Sequence, residues 1–178
     1  MKVVVQEYDE SWPAIFTAEA ARLREIFGAE LAAIHHIGST AVPGLPAKPI
    51  IDIMPVVQDI ARVDELNGKM AAFGYEPCGE FGIKERRFFR KGGEDRTHHV
   101  HVFQADNHTE IDRHLSVQNY LRAHPEAALE YGELKARLAK LFPEDIEAYM
   151  YGKDDFVKNL EQKALKWQRT KRKEGSIE

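Results

Sequence analysis

The sequence predicts an α+β (α/β-like) fold, in which a small mixed β-sheet is flanked by helices and followed by a C-terminal helical segment. Three observations support this prediction: short apolar runs typical of strands, a glycine-rich turn between two such runs, and helical spacing of apolar residues over the rest of the chain. The length of 178 residues predicts one domain over residues 1–178, with a frayed helical tail at 165–178.

The first elements are a helix and a strand. Asp9 can cap a helix whose apolar residues recur at helical spacing until Gly28 ends it. The apolar run at 31–37 then predicts a strand, and the turn-forming residues at 38–46 predict a loop.

A second strand is predicted at 50–57, where the residues are apolar on both faces except for Asp52. Pro55 is expected to stand near its end, because proline cannot donate a hydrogen bond within a sheet. The spacing at 60–73 then predicts a helix that stops at Gly74.

Two further strands, at 81–91 and 97–103, are predicted to form a hairpin around the turn at 92–95. The remainder of the chain is expected to be helical. A capping box at 109–112 and Pro125 in a first turn mark where two of these helices begin.

The composition excludes several classes of protein. One cysteine, Cys78, cannot form an internal disulfide, and the net charge of −4 argues against a nucleic-acid polymer as partner. No apolar stretch approaches the ~20 residues that a bilayer requires, and the N-terminus is too short for a signal-peptide core. We therefore expect a soluble, cytoplasmic protein with no membrane partner.

The loop and the strand after it suggest phosphate binding. Gly38 lets backbone amides approach an anion closely, and Ser39 adds a hydroxyl donor. Asp52, on the following strand, can hold a divalent cation against the same phosphate. These residues predict a site for a nucleotide or another phosphorylated small molecule, and Mg²⁺ or Mn²⁺ would accompany a nucleotide.

Histidines are unevenly distributed, and two of them suggest a second source of metal ligands. With the two-residue period of a strand, His99 and His101 share one face, while His98 lies on the other. The pair, completed by Asp52, could hold Zn, Ni or Fe. The same imidazoles could instead bind phosphate, transfer protons or lie solvated on the sheet surface.

Basic side chains in the hairpin, together with one lysine before the second strand, are candidate phosphate contacts. Alternation in the predicted hairpin strand places Lys84, Arg86 and Arg90 together, with Arg87 opposite. Guanidinium groups bind phosphate bidentately, although charged residues on a strand edge often serve only to keep it solvated. The phosphate-binding candidates are Arg86, Arg87 and Arg90, with Lys48 and Lys153 as weaker ones.

The run at 36–53, from His36 to Ile53, closely resembles the signature of the GrpB family, a branch of the nucleotidyltransferase superfamily. The resemblance extends over nearly the whole chain. It implies the nucleotidyltransferase fold, with Gly38 and Ser39 in the phosphate loop and Asp52 as the first metal carboxylate. Active members of the superfamily carry a second acid two residues later, where this chain has Met54, and the histidine strand contains no third acid.

Three functional hypotheses follow. The first is a nucleotidyltransferase-like protein that binds a phosphorylated ligand and a divalent metal, with Asp52, His99 and His101 as both catalytic and metal-binding residues. The second is a non-catalytic ligand-binding or interaction module that keeps the fold. The third is a hydrolase or lyase that uses a His/Asp metal centre.

Overall fold

A computed structural model describes residues 2–175 of the chain. The described residues form two compact units. The unit that we call the sheet unit contains residues 10–37 and 50–110. The helical unit contains residues 2–9, 38–49 and 111–175.

Five strands in the sheet unit form one mixed sheet with the order β1-β2-β5-β4-β3. Strand β2 is antiparallel to β1 and parallel to β5, while β4 is antiparallel to both β5 and β3. The strands are β1 (Leu31–Ile37), β2 (Ile51–Val57), β3 (Tyr75–Pro77), β4 (Arg87–Lys91) and β5 (His98–Gln104).

Strand β2 lies in the interior of the sheet, as its apolar composition predicts. It spans Ile51–Val57, within one residue of the predicted strand, and Pro55 lies two residues before its end, as expected. Pro55 is the partner of Ile34, and the next residue, Val56, is buried and pairs with β5. Burial and pairing on both sides therefore outweigh the hydrogen bond that the proline cannot donate.

The predicted strand at 81–91 is mostly a turn, and only β4 is extended. Phe81 and Glu85 have φ angles of 48° and 66°, in the left-handed region that interrupts an extended run. Two backbone hydrogen bonds, from Ile83 to Glu80 and from Arg86 to Ile83, close this segment into turns. Arg86 therefore does not lie on the same strand as Arg90, and the predicted alternation of these two residues is wrong.

Helix α1 (Trp12–Phe27) packs on β1 and β2. Its N-cap is Ser11 rather than the predicted Asp9. The predicted helix at 60–73 divides into a 3₁₀ segment, Ile60–Leu66, and the short helix α2 (Asn67–Ala72).

Three long helices follow β5: α3 (His108–Ala123), α4 (Pro125–Leu141) and α5 (Ile146–Gly175). Pro125 occupies the first turn of α4, as predicted. Helix α3 begins before the predicted capping box, and the side chain of Asn107 accepts a hydrogen bond from the backbone of Glu110. The last part of the predicted tail, residues 176–178, lies outside the described residues.

Within the helical unit, α4 and α5 approach closely at a glycine. A Cβ atom on Gly152 of α5 would stand 2.5 Å from the end of the Leu138 side chain on α4. Leu138 also forms a buried cluster with Tyr149 of α5. None of the described helices combines the length and the apolar character needed to cross a bilayer.

Candidate functional site

The pairing of β2 with β5 brings Asp52 to the histidine strand. Asp52 is the register partner of His99 in this parallel pair, and His101 follows two residues later on the same face. The Oδ1 atom of Asp52 lies 3.0 Å from Nε2 of His101 and 3.5 Å from Nδ1 of His99. Both imidazoles thus have a nitrogen within 3.5 Å of the same carboxylate oxygen.

The far side of each imidazole faces an arginine. Nη1 of Arg86 lies 3.3 Å from Nδ1 of His101, and Nη1 of Arg96 lies 3.2 Å from Nε2 of His99. Backbone carbonyls hold both guanidinium groups: Glu80 and Phe81 accept from Arg86, and Gly93 accepts from Arg96.

These contacts assign the proton on each ring, since a guanidinium group can only donate hydrogen bonds. Nδ1 of His101 must accept from Arg86, so its Nε2–H group donates to Asp52. By the same argument, Nε2 of His99 accepts from Arg96, and its Nδ1–H group points at Asp52. Both rings are neutral in this arrangement, with opposite tautomers.

The histidines also stabilise Asp52 as an anion. Burial acts to raise the pKa of this carboxyl, but hydrogen bonds from His101 and His99 outweigh burial and hold the pKa well below its usual range. The Asp52 side chain keeps 27% of its exposure, so solvent still reaches the carboxylate.

Asp52, His99 and His101 form a candidate metal site. Each offers one donor atom, and the three atoms lie within 4.8 Å of one another. One carboxylate and two imidazoles suit a divalent cation. Ligation would require each ring to move its proton to the nitrogen that now accepts from an arginine, so Arg86 and Arg96 would have to withdraw. The donor set fits a metal, and the arginines oppose its binding.

Aromatic residues line the histidine pair. The ring of Phe88 lies 5.3 Å from that of His99 and 5.2 Å from that of His101, measured between centroids. Phe81 stacks on Phe88 at 5.1 Å, and the guanidinium carbon of Arg86 lies 4.8 Å from the Phe88 centroid. The imidazoles are therefore held by packing as well as by hydrogen bonds.

The other candidate arginines form ion pairs. Arg87 binds both carboxylate oxygens of Asp64, at 2.7 and 3.3 Å, and Arg90 binds Glu76 in the same way. Arg86 is only 6% exposed, and Arg87 and Arg90 are half-buried. Arg86 differs from these two in making a hydrogen bond to a histidine of the pair.

Three of the predicted phosphate-binding residues belong to the helical unit: Gly38, Ser39 and Lys48. Gly38 has a φ of 75°, a conformation that favours glycine, and Ser39 begins a short 3₁₀ turn. Arg122 of α3 anchors this turn, since its Nε and Nη2 atoms donate to the carbonyl of Ala41 at 3.1 and 2.6 Å. Nζ of Lys48 lies 5.4 Å from the ring centroid of Tyr149.

His98 points away from the pair, as the alternation predicts. Its Nε2 atom lies 3.7 Å from Glu19, and its ring lies edge-on to that of Tyr75. Burial, the largest influence, lowers the pKa of His98. This histidine belongs to the packing between the sheet and α1.

Sequence reasoning missed two residues. Arg96 is a site residue that the sequence pattern did not indicate, and its position three residues before His99 is the available signal. Lys135 is buried on α4, and the signal was a lysine that shares a helix face with Tyr131 and Leu138.

Comparison with known proteins identifies relatives along most of the chain. The family model described as "GrpB protein" matches residues 2–163. UPF0157 protein YqkA of Bacillus subtilis is 47% identical over 168 residues, which are 94% of this chain and 49% of YqkA. The chain thus spans about half the length of that relative.

Solved structures show the fold. The crystal structure of conserved protein GrpB from Enterococcus faecalis matches with a TM-score of 0.91 and 47% identity, over 93% of this chain and 99% of that one. Cid1 poly(U) polymerase, in a structure with Mg 3′-dATP bound, matches with a TM-score of 0.55 over 83% of this chain and 49% of that one. At 11% identity, the second match shows a shared fold alone. The predicted nucleotidyltransferase fold is confirmed.

Proposed function

The chain belongs to the GrpB family, and we propose that it uses its nucleotidyltransferase fold to bind a nucleotide or another phosphorylated small molecule together with a divalent cation. The observation that carries this proposal is the pairing of β2 with β5, which places Asp52 within 3.5 Å of both histidines of the pair. An ionised carboxylate beside two neutral imidazoles is a set of hard and intermediate ligands suited to Mg²⁺ or Mn²⁺, and also to Zn²⁺, Ni²⁺ or Fe²⁺.

Asp52, His99 and His101 would hold the cation, and they are also our candidates for catalytic residues. A bound divalent cation would neutralise charge on the phosphate oxygens. Gly38 has a φ of 75°, a conformation that favours glycine, and Ser39 begins the turn that follows it. The proposal assigns phosphate contacts to Gly38, Ser39 and Lys48.

The hairpin arginines can bind a phosphate only by giving up hydrogen bonds that they already make. Arg87 and Arg90 would have to give up bidentate contacts with Asp64 and Glu76 before binding a phosphate. Arg86 is buried and holds His101, so its contribution is to position that ring.

Calorimetric titration with the four nucleoside triphosphates, each with Mg²⁺ or Mn²⁺, tests the proposal. We expect at least one nucleotide to bind, and we expect Asp52→Asn to weaken metal-dependent binding about tenfold or more, since loss of a carboxylate ligand removes charge from the site. Asp64→Asn, which removes a carboxylate paired with Arg87, is the matched control. Absence of binding by all four nucleotides would exclude a nucleotide as the ligand.

A second candidate function is a non-catalytic binding module, and Met54 favours it. Met54 lies two residues after Asp52 on β2, where an active nucleotidyltransferase would carry another acid, and it is fully buried. This candidate predicts ligand binding without turnover, with an affinity that Asp52→Asn leaves largely intact. The same titration, combined with an assay for pyrophosphate release, separates the two functions.

A further inference from the structure

Three lysines of the helical unit gather around two tyrosines. Nζ of Lys135, on α4, lies 4.4 Å from the ring centroid of Tyr131. Nζ of Lys48 and Nζ of Lys153 lie 5.4 and 5.3 Å from the ring centroid of Tyr149 on α5. Lys153 comes directly after Gly152, the residue at which α5 approaches α4. We call these three residues the lysine cluster.

Two polar groups in this region are buried without a hydrogen-bond partner among the described residues. Lys135 is 2% exposed and Tyr149 is fully buried, and neither Nζ of the lysine nor Oη of the tyrosine makes a hydrogen bond. An ammonium group and a phenol can both donate. Burying a donor without an acceptor lowers the stability of the fold. Two such donors in one region therefore indicate that an acceptor belongs there.

Two neighbouring lysines act on the charge of Lys135. Burial is the largest influence on Lys135, and Lys153 and Lys48 add to it, so that the pKa of the Lys135 amine is lowered to about 7. The charges that act on Lys135 are therefore cations. Contact with the Tyr131 ring offsets only part of the cost of a buried ammonium group.

An oxyanion would resolve both problems. Several oxygens with a net negative charge can accept from Lys135 and Tyr149 and can neutralise the repulsion among the three lysines. Lys48 and Lys153 are half-buried, so the cluster has an edge that reaches solvent. Lysines bind phosphate as point charges, and a multiply charged phosphate chain matches three of them.

We propose that the lysine cluster is an oxyanion site, in which Lys48, Lys135 and Lys153 bind a phosphate chain and Tyr149 donates a hydrogen bond to it. The inference extends the proposed function, since it shares Lys48 and the phosphorylated ligand class, but it requires neither a metal nor Asp52. Inorganic triphosphate is the simplest probe of such a site.

Titration calorimetry with inorganic triphosphate in the presence of EDTA tests this site. We expect binding to the wild-type protein, at least tenfold weaker binding to Lys135→Met, and an intermediate loss for Lys153→Met. Lys140→Met is the matched control, because Lys140 is exposed on the same helix and should leave the affinity unchanged. Thermal unfolding of each variant verifies that it is folded.

Several results would overturn the inference. These are absence of triphosphate binding to the wild-type protein, equal losses for Lys135→Met and Lys140→Met, or equally tight binding of citrate, which would show attraction without preference for phosphate. The metal-free probe separates this test from that of the proposed function. If nucleotide binding requires a metal and Asp52 but triphosphate does not bind, the lysine site is excluded and the proposed function is not.

Discussion

Asp52 of the sheet unit and Lys135 of the helical unit are two ionisable groups with little exposure to solvent. They differ in the hydrogen-bond partners that surround them. Asp52 accepts from two imidazoles, each of which is held in turn by an arginine. Lys135 has a tyrosine ring beside it and two other lysines acting on it, and its Nζ atom makes no hydrogen bond among the described residues.

The difference shows which ligand each site needs. The chain itself supplies the donors that keep Asp52 ionised, so a metal there has to compete with existing hydrogen bonds. Among the described residues, Lys135 has no hydrogen-bond acceptor, so loss of its proton or binding of an anion would lower the cost of its burial. The following predictions test this contrast, beginning with the largest expected effect.

Asp52→Ala should lower the free energy of unfolding by about 3 kcal/mol, near the lower end of the cost of removing one partner from a buried pair, because the side chain keeps some exposure. The variant leaves two imidazole N–H groups without their acceptor. Urea denaturation measures the change, and Asp155→Ala, an exposed carboxylate on α5, is the control with an expected change of less than about 0.5 kcal/mol. Equal changes in the two variants would contradict the prediction.

Lys135→Met should raise the free energy of unfolding at pH 6 by about 2 kcal/mol in phosphate-free buffer, because an apolar side chain replaces an unpaired buried cation. The folded-state pKa of about 7 lies below the ~10.4 of an unfolded lysine. Between these values the unfolded chain binds a proton that the folded chain does not, so wild-type stability rises with pH.

The advantage of Lys135→Met should therefore shrink between pH 6 and pH 9. Urea denaturation at both values measures it, and Lys140→Met should show no such trend. A wild-type protein whose stability falls over this range relative to Lys135→Met would show that the amine is stabilised as a cation.

Arg96→Gln should raise the affinity for Mn²⁺ about tenfold, or ~1.4 kcal/mol, a size typical of residues that contact a metal ligand. The glutamine side chain is shorter than arginine and does not reach Nε2 of His99, so the ring proton can move from Nδ1 to Nε2 and Nδ1 can ligate. Calorimetry with Mn²⁺ measures the affinity. Arg87→Gln removes a cation paired with Asp64 and should leave the affinity unchanged. A weaker affinity in Arg96→Gln would mean that Arg96 supports the metal site.

Asp64→Ala should have the smallest effect, at most about 1 kcal/mol in the free energy of unfolding, because its ion pair with Arg87 lies at the surface. The loss should diminish in 1 M salt, which screens exposed charges, whereas the loss in Asp52→Ala should persist. Urea denaturation at low and high salt compares the two. Salt-independent losses of similar size would remove the distinction between the surface pair and the buried one.

Most of the secondary structure could be predicted from local patterns. The strand at Leu31–Ile37 and the start of α4 at Pro125 have the expected bounds. The segment before β4 could not, because two non-glycine residues there adopt left-handed conformations that local propensity disfavours. The bounds of β2 match the prediction to within one residue, whereas its pairing with β1 and β5 is not contained in a local pattern.

The sequence by itself determined the resemblance to the GrpB family and the alternation that places His99 and His101 on one face, because a strand's two-residue period depends only on the local backbone. Tertiary structure decided which residues meet. The parallel pairing of β2 with β5 set Asp52 against His99, and a turn carried Arg86 to His101. The packing of the helical unit buried Lys135. Such contacts join segments far apart in the chain, and their free energies depend on burial and partners that composition and spacing do not specify.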